Sequence, residues 1–367
     1  MPVSRITTIE FLNLPPGTLL LDVRSPAEYA HARIPGAYNL PLFSDEERKT
    51  VGTLYKQSSR EVAIKAGLDF FGPKMRGMAE EVENLAAGIY HTGQGLSTTP
   101  GKSEIFIYCW RGGMRSAAVA WLLDLYGFRV HVLAGGYKSF RNFVLKSFEL
   151  PYNFKILGGY TGSGKSTVLR ELEKKGETII DLEKIAAHKG SAFGNIECVE
   201  QPRPEMFENI LALELFEKSG RKENKEFSDP GRTIWLEDES QRIGDLNIPK
   251  PLWETMRAAP VFFLDIDFEH RLENICREYG VLPVEKLAHA TGRISKRLGP
   301  LETKNTLFFL ENGNIKEAFR ILLTYYDKHY KKGLYNRSEL EKLLTILPCP
   351  SVSPANACLL QNQYQLL

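Results

Sequence analysis

Two short segments bring together residue types that do chemistry in combination. In Cys109-Trp110-Arg111-Gly112-Gly113-Met114-Arg115-Ser116, one thiol is followed by two guanidiniums and two glycines, between an apolar run and a helical one. A turn from strand to helix aims successive N–H groups inward, and glycine permits the positive φ that this needs. The helix N-terminus and the charges of Arg111 and Arg115 favour the thiolate, which is the nucleophilic form of cysteine. The C-x5-R spacing makes a loop that can surround a tetrahedral oxyanion as well as a single sulfur. Cys109, Arg111 and Arg115 are therefore read as the reactive groups, with Trp110, Gly112, Gly113 and Met114 as the oxyanion loop. Trp110 offers a face for a base or a prenyl chain, or simply a pocket wall. Asp22 and Arg24, at the end of another apolar run, are read as supporting residues that orient the loop or pair with each other.

The second segment, Gly159-Tyr160-Thr161-Gly162-Ser163-Gly164-Lys165-Ser166, satisfies G-x-x-x-x-G-K-S, with a strand expected before it and a helix after it. Gly159, Gly162 and Gly164 let the main chain wrap closely, and N–H groups around Ser163 bind negative oxygens. Lys165 reaches the distal phosphate, and Ser166, with Thr167 beside it, is placed to hold magnesium. The motif specifies a di- or triphosphate without specifying hydrolysis. Among Glu237-Asp238-Glu239, which follow an apolar run, Asp238 is expected to be the metal-holding carboxylate. Arg293 and Arg297, four apart, share a helix face that could close on phosphate or an RNA backbone, or could be merely solvated. Arg203 is a weaker nucleic-acid candidate, as are Lys328, Lys331, Lys332 and Arg337 with Tyr325, Tyr326 and Tyr330 interleaved.

The elements that must position these residues alternate between apolar strands and helices. Leu19–Val23, Ile105–Tyr108 and Phe128–Leu133 read as strands in the first half, and Phe154–Leu157, Thr233–Leu236 and Val261–Leu264 in the second. Residues 93–103 read as a surface loop, 301–347 as largely helical, and the last twenty residues, with Pro348, Pro350 and Pro354, as loosely ordered. At 367 residues, 43% hydrophobic and 25% charged, the chain suits two α/β domains, 1–148 and 149–367. A net charge of +2 excludes a polybasic protein, so any RNA surface is local. The five cysteines form no C-x-x-C, which argues against structural zinc or a disulfide framework. Without an apolar leader or a membrane-length run, the expectation is a soluble protein of the cytoplasm, with no membrane partner and no tightly bound cofactor.

Leu21-Asp22-Val23-Arg24-Ser25-Pro26-Ala27-Glu28-Tyr29, Ile34-Pro35-Gly36-Ala37 and the cysteine loop together resemble a rhodanese domain. The cysteine of that fold carries sulfur or a relative as a persulfide. The chain departs from the usual pattern in its longer C-x5-R loop, found in rhodanese-fold phosphatases, and in Ala32-Arg33 before Ile-Pro-Gly. With Val51-Gly52-Thr53-Leu54-Tyr55-Lys56-Gln57, Gly135-Gly136-Tyr137-Lys138, the phosphate loop, Trp235-Leu236-Glu237-Asp238-Glu239-Ser240 and Lys296-Arg297-Leu298-Gly299, the whole sequence is similar to the tRNA 2-selenouridine synthase family.

That resemblance implies a rhodanese-like domain followed by a P-loop NTPase-like domain with a helical C-terminal region. It also implies a two-step exchange at wobble uridine U34 of the Lys, Glu and Gln tRNAs. Geranyl diphosphate alkylates 2-thiouridine to S-geranyl-2-thiouridine, and selenium from selenophosphate then displaces the sulfur to give 2-selenouridine. Cys109 would carry selenium as an S-selanyl group, Arg111 and Arg115 would hold the oxyanion, and the phosphate loop would hold the prenyl donor's diphosphate. An enzyme supplying selenophosphate is an implied partner. The alternatives are a C-x5-R phosphatase or sulfurtransferase fused to an ATP-dependent kinase, and a non-enzymatic tRNA-binding scaffold.

Overall fold

The structure is a computed structural model that describes residues 3–15, 17–91, 104–189, 200–221 and 230–364. The expected loop at 93–103 lies wholly outside those residues, as does Cys198. The chain forms two compact units, Met1–Lys146 and Ser147–Leu367, so the division falls two residues before the expected one.

In the first unit, strands β1 (Ser4–Ile6), β2 (Leu19–Asp22), β3 (Tyr38–Asn39), β4 (Glu104–Tyr108) and β5 (Arg129–Leu133) form a parallel sheet in the order β1-β5-β4-β2-β3. All four residues of β2 are buried, as the uninterrupted apolar run requires of a strand covered on both faces. Leu21, Ile107, Val119, Leu123 and Val130 fill the core between sheet and helices. Pro26 opens the helix Pro26–His31, and the Glu28 carboxylate accepts the Ser25 N–H at 3.2 Å, closing the helix start that the sequence indicates. The polar stretch after Ser44 is helical. It forms helices Asp45–Gln57 and Arg60–Phe71, the first started by a reciprocal Ser44–Glu47 cap.

Parallel strands end at one edge of their sheet, so the segments leaving β2, β4 and β5 converge. The turn after β5 is hydrogen-bonded to the cysteine loop after β4: Tyr137 N–H donates to the Cys109 carbonyl, and Lys138 N–H to that of Trp110, both at 2.9 Å. Gly136, at φ +59°, lies so close that a Cβ would collide with the Cys109 carbonyl and the amides of Arg111 and Gly112.

The second unit has a parallel sheet of β6 (Phe154–Gly159), β7 (Ile234–Glu237), β10 (Val261–Asp265) and β11 (Leu344–Pro348), ordered β11-β10-β6-β7. A small antiparallel hairpin pairs β8 (Arg242–Ile243) with β9 (Leu246–Asn247). The helix Lys165–Lys174 follows β6, so the phosphate loop leaves an inner strand. Helices Pro300–Glu311 and Ile315–Tyr335 occupy the expected helical region. Two expectations are corrected at the C-terminus. Residues 344–348 are not helical but pair along the whole of β10 as an edge strand, which their apolar side chains permit and local helical periodicity does not reveal. The last twenty residues are also not uniformly loose: Asn356–Tyr364 is a helix, held by Ala357 and Leu360 buried against Val168 and Leu172.

Gly136→Ala should destabilise the first unit by roughly 2 kcal/mol or more, because a left-handed backbone and a backbone collision coincide there. Thermal or denaturant unfolding of the variant measures this, and a stability equal to that of the parent would contradict the crossing of the two turns.

Candidate active site

Cys109 sits directly after β4 and is 3% exposed. Its Sγ is hydrogen-bonded to Ser116 Oγ at 3.2 Å, and Ser116, 0% exposed, starts the buried face of the helix Met114–Tyr126. Burial pushes the Cys109 thiol up. The Ser116 hydroxyl, the N–H groups of Ser116 and Arg111 and the charge of Arg115 outweigh that, and the thiol lies below its ordinary value. Gly112 takes φ +63°, as an inward-curling loop needs.

The two arginines are placed differently. Arg115 Nη1 donates to Glu28 Oε2 at 2.7 Å, whereas Arg111 is exposed. Arg115 therefore already shares its charge with a carboxylate from the helix after β2. Trp110 and Met114 are 40% and 47% exposed, flanking the mouth of the loop. Asp22 and Arg24 form a buried pair at 2.6 Å beneath it. Arg24 also donates to the Ala32 carbonyl at 2.7 Å and lies 4.0 Å from the centre of the Tyr137 ring. These contacts fix the supporting role as architectural: the pair props Tyr137, whose N–H holds the Cys109 carbonyl.

In the second unit, Gly162 and Gly164 take φ +83° and +75°. A Cβ on Gly162 would come 2.9 Å from the Arg271 carbonyl, and one on Gly164 would come 2.7 Å from Val352, so the wrap of the loop is packed from outside. Lys165 Nζ donates to the Gly159 carbonyl at 3.1 Å. Gly162, Gly164, Lys165, Ser166 and Thr167 line a cleft of about 1120 Å³, whereas Ser163 is buried behind it.

The carboxylate that faces the loop is Glu237 rather than Asp238: Glu237 is hydrogen-bonded to Ser166 and is 7% exposed. Asp238 was expected to hold metal, but Arg337 engages it at 2.7 and 3.1 Å and Tyr330 at 2.7 Å. Successive residues at a strand end point to opposite sides, and this register turns Glu237 to the loop. Burial and neighbouring carboxylates push Glu183 up to about 8, and Glu239 is raised well above the carboxylate range for the same reasons, with Lys165 opposing in both. Burial also raises Glu237. Ser166 and Glu237 are hard oxygen donors that fit magnesium, with phosphate and water supplying its remaining ligands. Among the described residues, no group of three or more His, Cys, Asp or Glu side chains is arranged to hold a metal.

The remaining arginines separate. Arg297 lines the cleft, Arg293 lies close enough to His188 to depress its pKa after burial, and Arg203 stands just before the helix Pro204–Lys218, outside the cleft lining. Arg337 is buried in its pair with Asp238, which removes it from the RNA candidates. Sequence reasoning missed Ser116, Glu183, Arg271 and Asp327, and it read Tyr330 as a nucleic-acid candidate, whereas its hydroxyl bonds Gly159 and Asp238. Only Ser116, next to the cysteine motif, carried a local signal.

Known proteins match both units. The rhodanese-like domain family matches residues 10–143, and the family described as the tRNA 2-selenouridine synthase AAA domain matches residues 152–343. A tRNA 2-selenouridine synthase of Psychromonas ingrahamii is 30% identical over 353 residues, covering 88% of this chain and 89% of that one. The chain belongs to the tRNA 2-selenouridine synthase family. Another such synthase, from Pseudomonas fluorescens, is 34% identical, with 85% of this chain and 80% of the relative covered. The synthase of Cupriavidus pinatubonensis is 35% identical over 72% of this chain, which spans 66% of that relative's length. Like its family, the chain is an enzyme that joins a rhodanese-like α/β domain to a P-loop-like one. None of its described helices is long and apolar enough to cross a membrane.

Two outcomes test the electrostatics of these synthase sites. Removing the hydroxyl in Ser116→Ala takes away a stabiliser of the thiolate, so the pH midpoint of Cys109 alkylation, followed by peptide mass mapping, should move upward. A raised carboxyl binds its proton more tightly in the folded state, so the second unit should lose stability as pH rises from about 4.5 to about 8. Glu183→Gln should flatten that slope in pH-dependent unfolding, and an unchanged slope would exclude Glu183 as its source.

Proposed function

We propose that the chain converts 2-thiouridine to 2-selenouridine at wobble position U34 of tRNA, with S-geranyl-2-thiouridine as the intermediate. In the first step the thiocarbonyl sulfur attacks C1 of geranyl diphosphate. The new C–S bond replaces the C–O bond, diphosphate leaves with the electron pair, and the uridine N3 proton is released. The phosphate loop holds the diphosphate, and Lys165 stabilises the charge that it gains on leaving. Tyr325, Tyr326 and Leu282 line the same cleft and offer apolar surface to the prenyl chain.

In the second step selenophosphate, bound in the Cys109 loop, attacks C2 of the base through its selenium, and water afterwards splits the Se–P bond to release phosphate. The C–Se bond forms, the C–S bond breaks, and geranylthiol departs. Alkylation makes this exchange feasible by turning a poor leaving group into a thiol. Arg111 and Arg115 serve the oxyanion of the selenium donor, Arg115 by exchanging part of its pairing with Glu28. Magnesium, where used, would be held by Ser166 and Glu237 and would neutralise diphosphate charge. An enzyme that makes selenophosphate is the implied partner, and the Lys, Glu and Gln tRNAs are the implied substrates.

The observation that carries this reading is a buried thiol, bonded to Ser116 and lowered by its surroundings, in a glycine-rich loop of the same chain as a complete phosphate loop with an aromatic-lined cleft. Nucleoside mass spectrometry of tRNA incubated with geranyl diphosphate and selenophosphate, separately and together, tests it. Cys109→Ser should abolish selenium incorporation and leave geranylation, whereas Lys165→Ala should reduce geranylation by about a hundredfold, as expected on losing one charge-stabilising group. Unaltered nucleoside profiles from both variants would refute the division of labour, and phosphate release from an aryl phosphate by the parent enzyme would favour a phosphatase.

A further inference from the structure

The helix Ile315–Tyr335 belongs to no motif, yet it grips the phosphate loop at two points. Tyr330 Oη accepts the N–H of Gly159 at 3.1 Å and donates to Asp238 Oδ2 at 2.7 Å. Asp238 is held in turn by Arg337, whose side chain is 1% exposed. One turn earlier on the same helix, Asp327 pairs with Arg271 at 2.8 and 2.9 Å, and Arg271 donates to the Thr161 carbonyl at 3.1 Å. Gly159 is the pivot of this arrangement: its N–H goes to Tyr330, and its carbonyl accepts Lys165 Nζ at 3.1 Å. Room for the tyrosine is made by Gly158, where a Cβ would press on Tyr330 Oη at 3.1 Å. Burial, and next the charge of Asp238, keep the Tyr330 phenol protonated, so it can donate to Asp238 while accepting from Gly159.

We propose that Tyr330, held by Asp238 and Arg337, is a positioning residue of the phosphate site: its hydroxyl fixes the backbone of Gly159, and the carbonyl of that residue in turn aims Lys165 at a bound diphosphate. The triad does not touch the reacting atoms. It acts on the one residue whose N–H is bonded to the helix and whose carbonyl is bonded to the lysine. Within Glu237-Asp238-Glu239 the two functions are thereby divided, with Glu237 beside Ser166 and Asp238 holding the relay. The inference depends on the loop binding a diphosphate and not on the prenyl donor proposed above.

The test uses the full-length enzyme, with inorganic pyrophosphate as the binding probe and geranyl diphosphate as the substrate. Tyr330→Phe leaves the Gly159 N–H without its acceptor, so pyrophosphate should bind about tenfold more weakly, the effect of one lost hydrogen bond. The KM for geranyl diphosphate should rise in step, with kcat changed far less and the KM for tRNA unchanged. A purely structural tyrosine would lower the melting temperature without that split. Asp238→Asn should shift affinity in the same direction by a smaller factor and guards against a Tyr330 variant that fails to fold. Because both act through one hydrogen bond, the double variant should bind no more weakly than Tyr330→Phe alone. Parental pyrophosphate affinity in Tyr330→Phe, or additive losses in the double variant, would overturn the proposal. Should Tyr330→Phe lose pyrophosphate while the parent fails to geranylate tRNA, the positioning role would stand and the donor assignment would fall.

Discussion

On the proposed function both units have to hold negative charge partly out of water, and both offer it backbone N–H groups at the carboxyl ends of parallel strands. An unpaired anion in such a place is costly, so the N–H groups must be aimed before the anion arrives. Aiming them forces positive φ at Gly112, Gly162 and Gly164, and holding those turns open requires packing from outside. The Gly135-Gly136 turn does this for the cysteine loop, and Arg271, Ile275 and Val352 do it for the phosphate loop. Much of each unit beyond the loops thus serves to keep a strained turn in place.

The electrostatics of the two sites oppose each other. Around Cys109 the surroundings stabilise the anion against burial, and a thiol becomes a thiolate at lower pH than usual. In the second cleft, carboxylates crowd one another and Lys165, and burial with that crowding raises Glu183 and Glu239 above exposed carboxylates. That crowding suits the proposed binding of a multiply charged phosphate beside a lysine. A carboxyl that keeps its proton to higher pH repels an incoming anion less than an ionised one.

The strands and both reactive turns were legible in the chain because each depends on local signals: apolar runs for buried parallel strands, glycine at turns, and fixed spacing within a loop. The departures came where distant segments decide. Residues 344–347 have a composition that suits helix or strand, and only the exposed edge of β10 selects strand. The helix Asn356–Tyr364 has few local cues and exists because Ala357 and Leu360 find a core. Asp238 looked like the metal carboxylate by its place at a strand end, yet the next-door Glu237 takes that side because Arg337 and Tyr330, some hundred residues later, claim Asp238.

By itself, the sequence determined the chemistry on offer: a cysteine in an anion-cradling loop, a complete phosphate loop, and parallel α/β scaffolding for both. These follow from residue types within a few positions of one another, where backbone geometry leaves little freedom. The tertiary structure decided which groups those loops meet: Ser116 against the thiol, Glu28 on Arg115, Glu237 at Ser166, and Tyr330 on Gly159. Such partners are chosen by strand order and helix packing, which depend on the summed burial of the whole chain and leave no mark on the spacing of the residues involved.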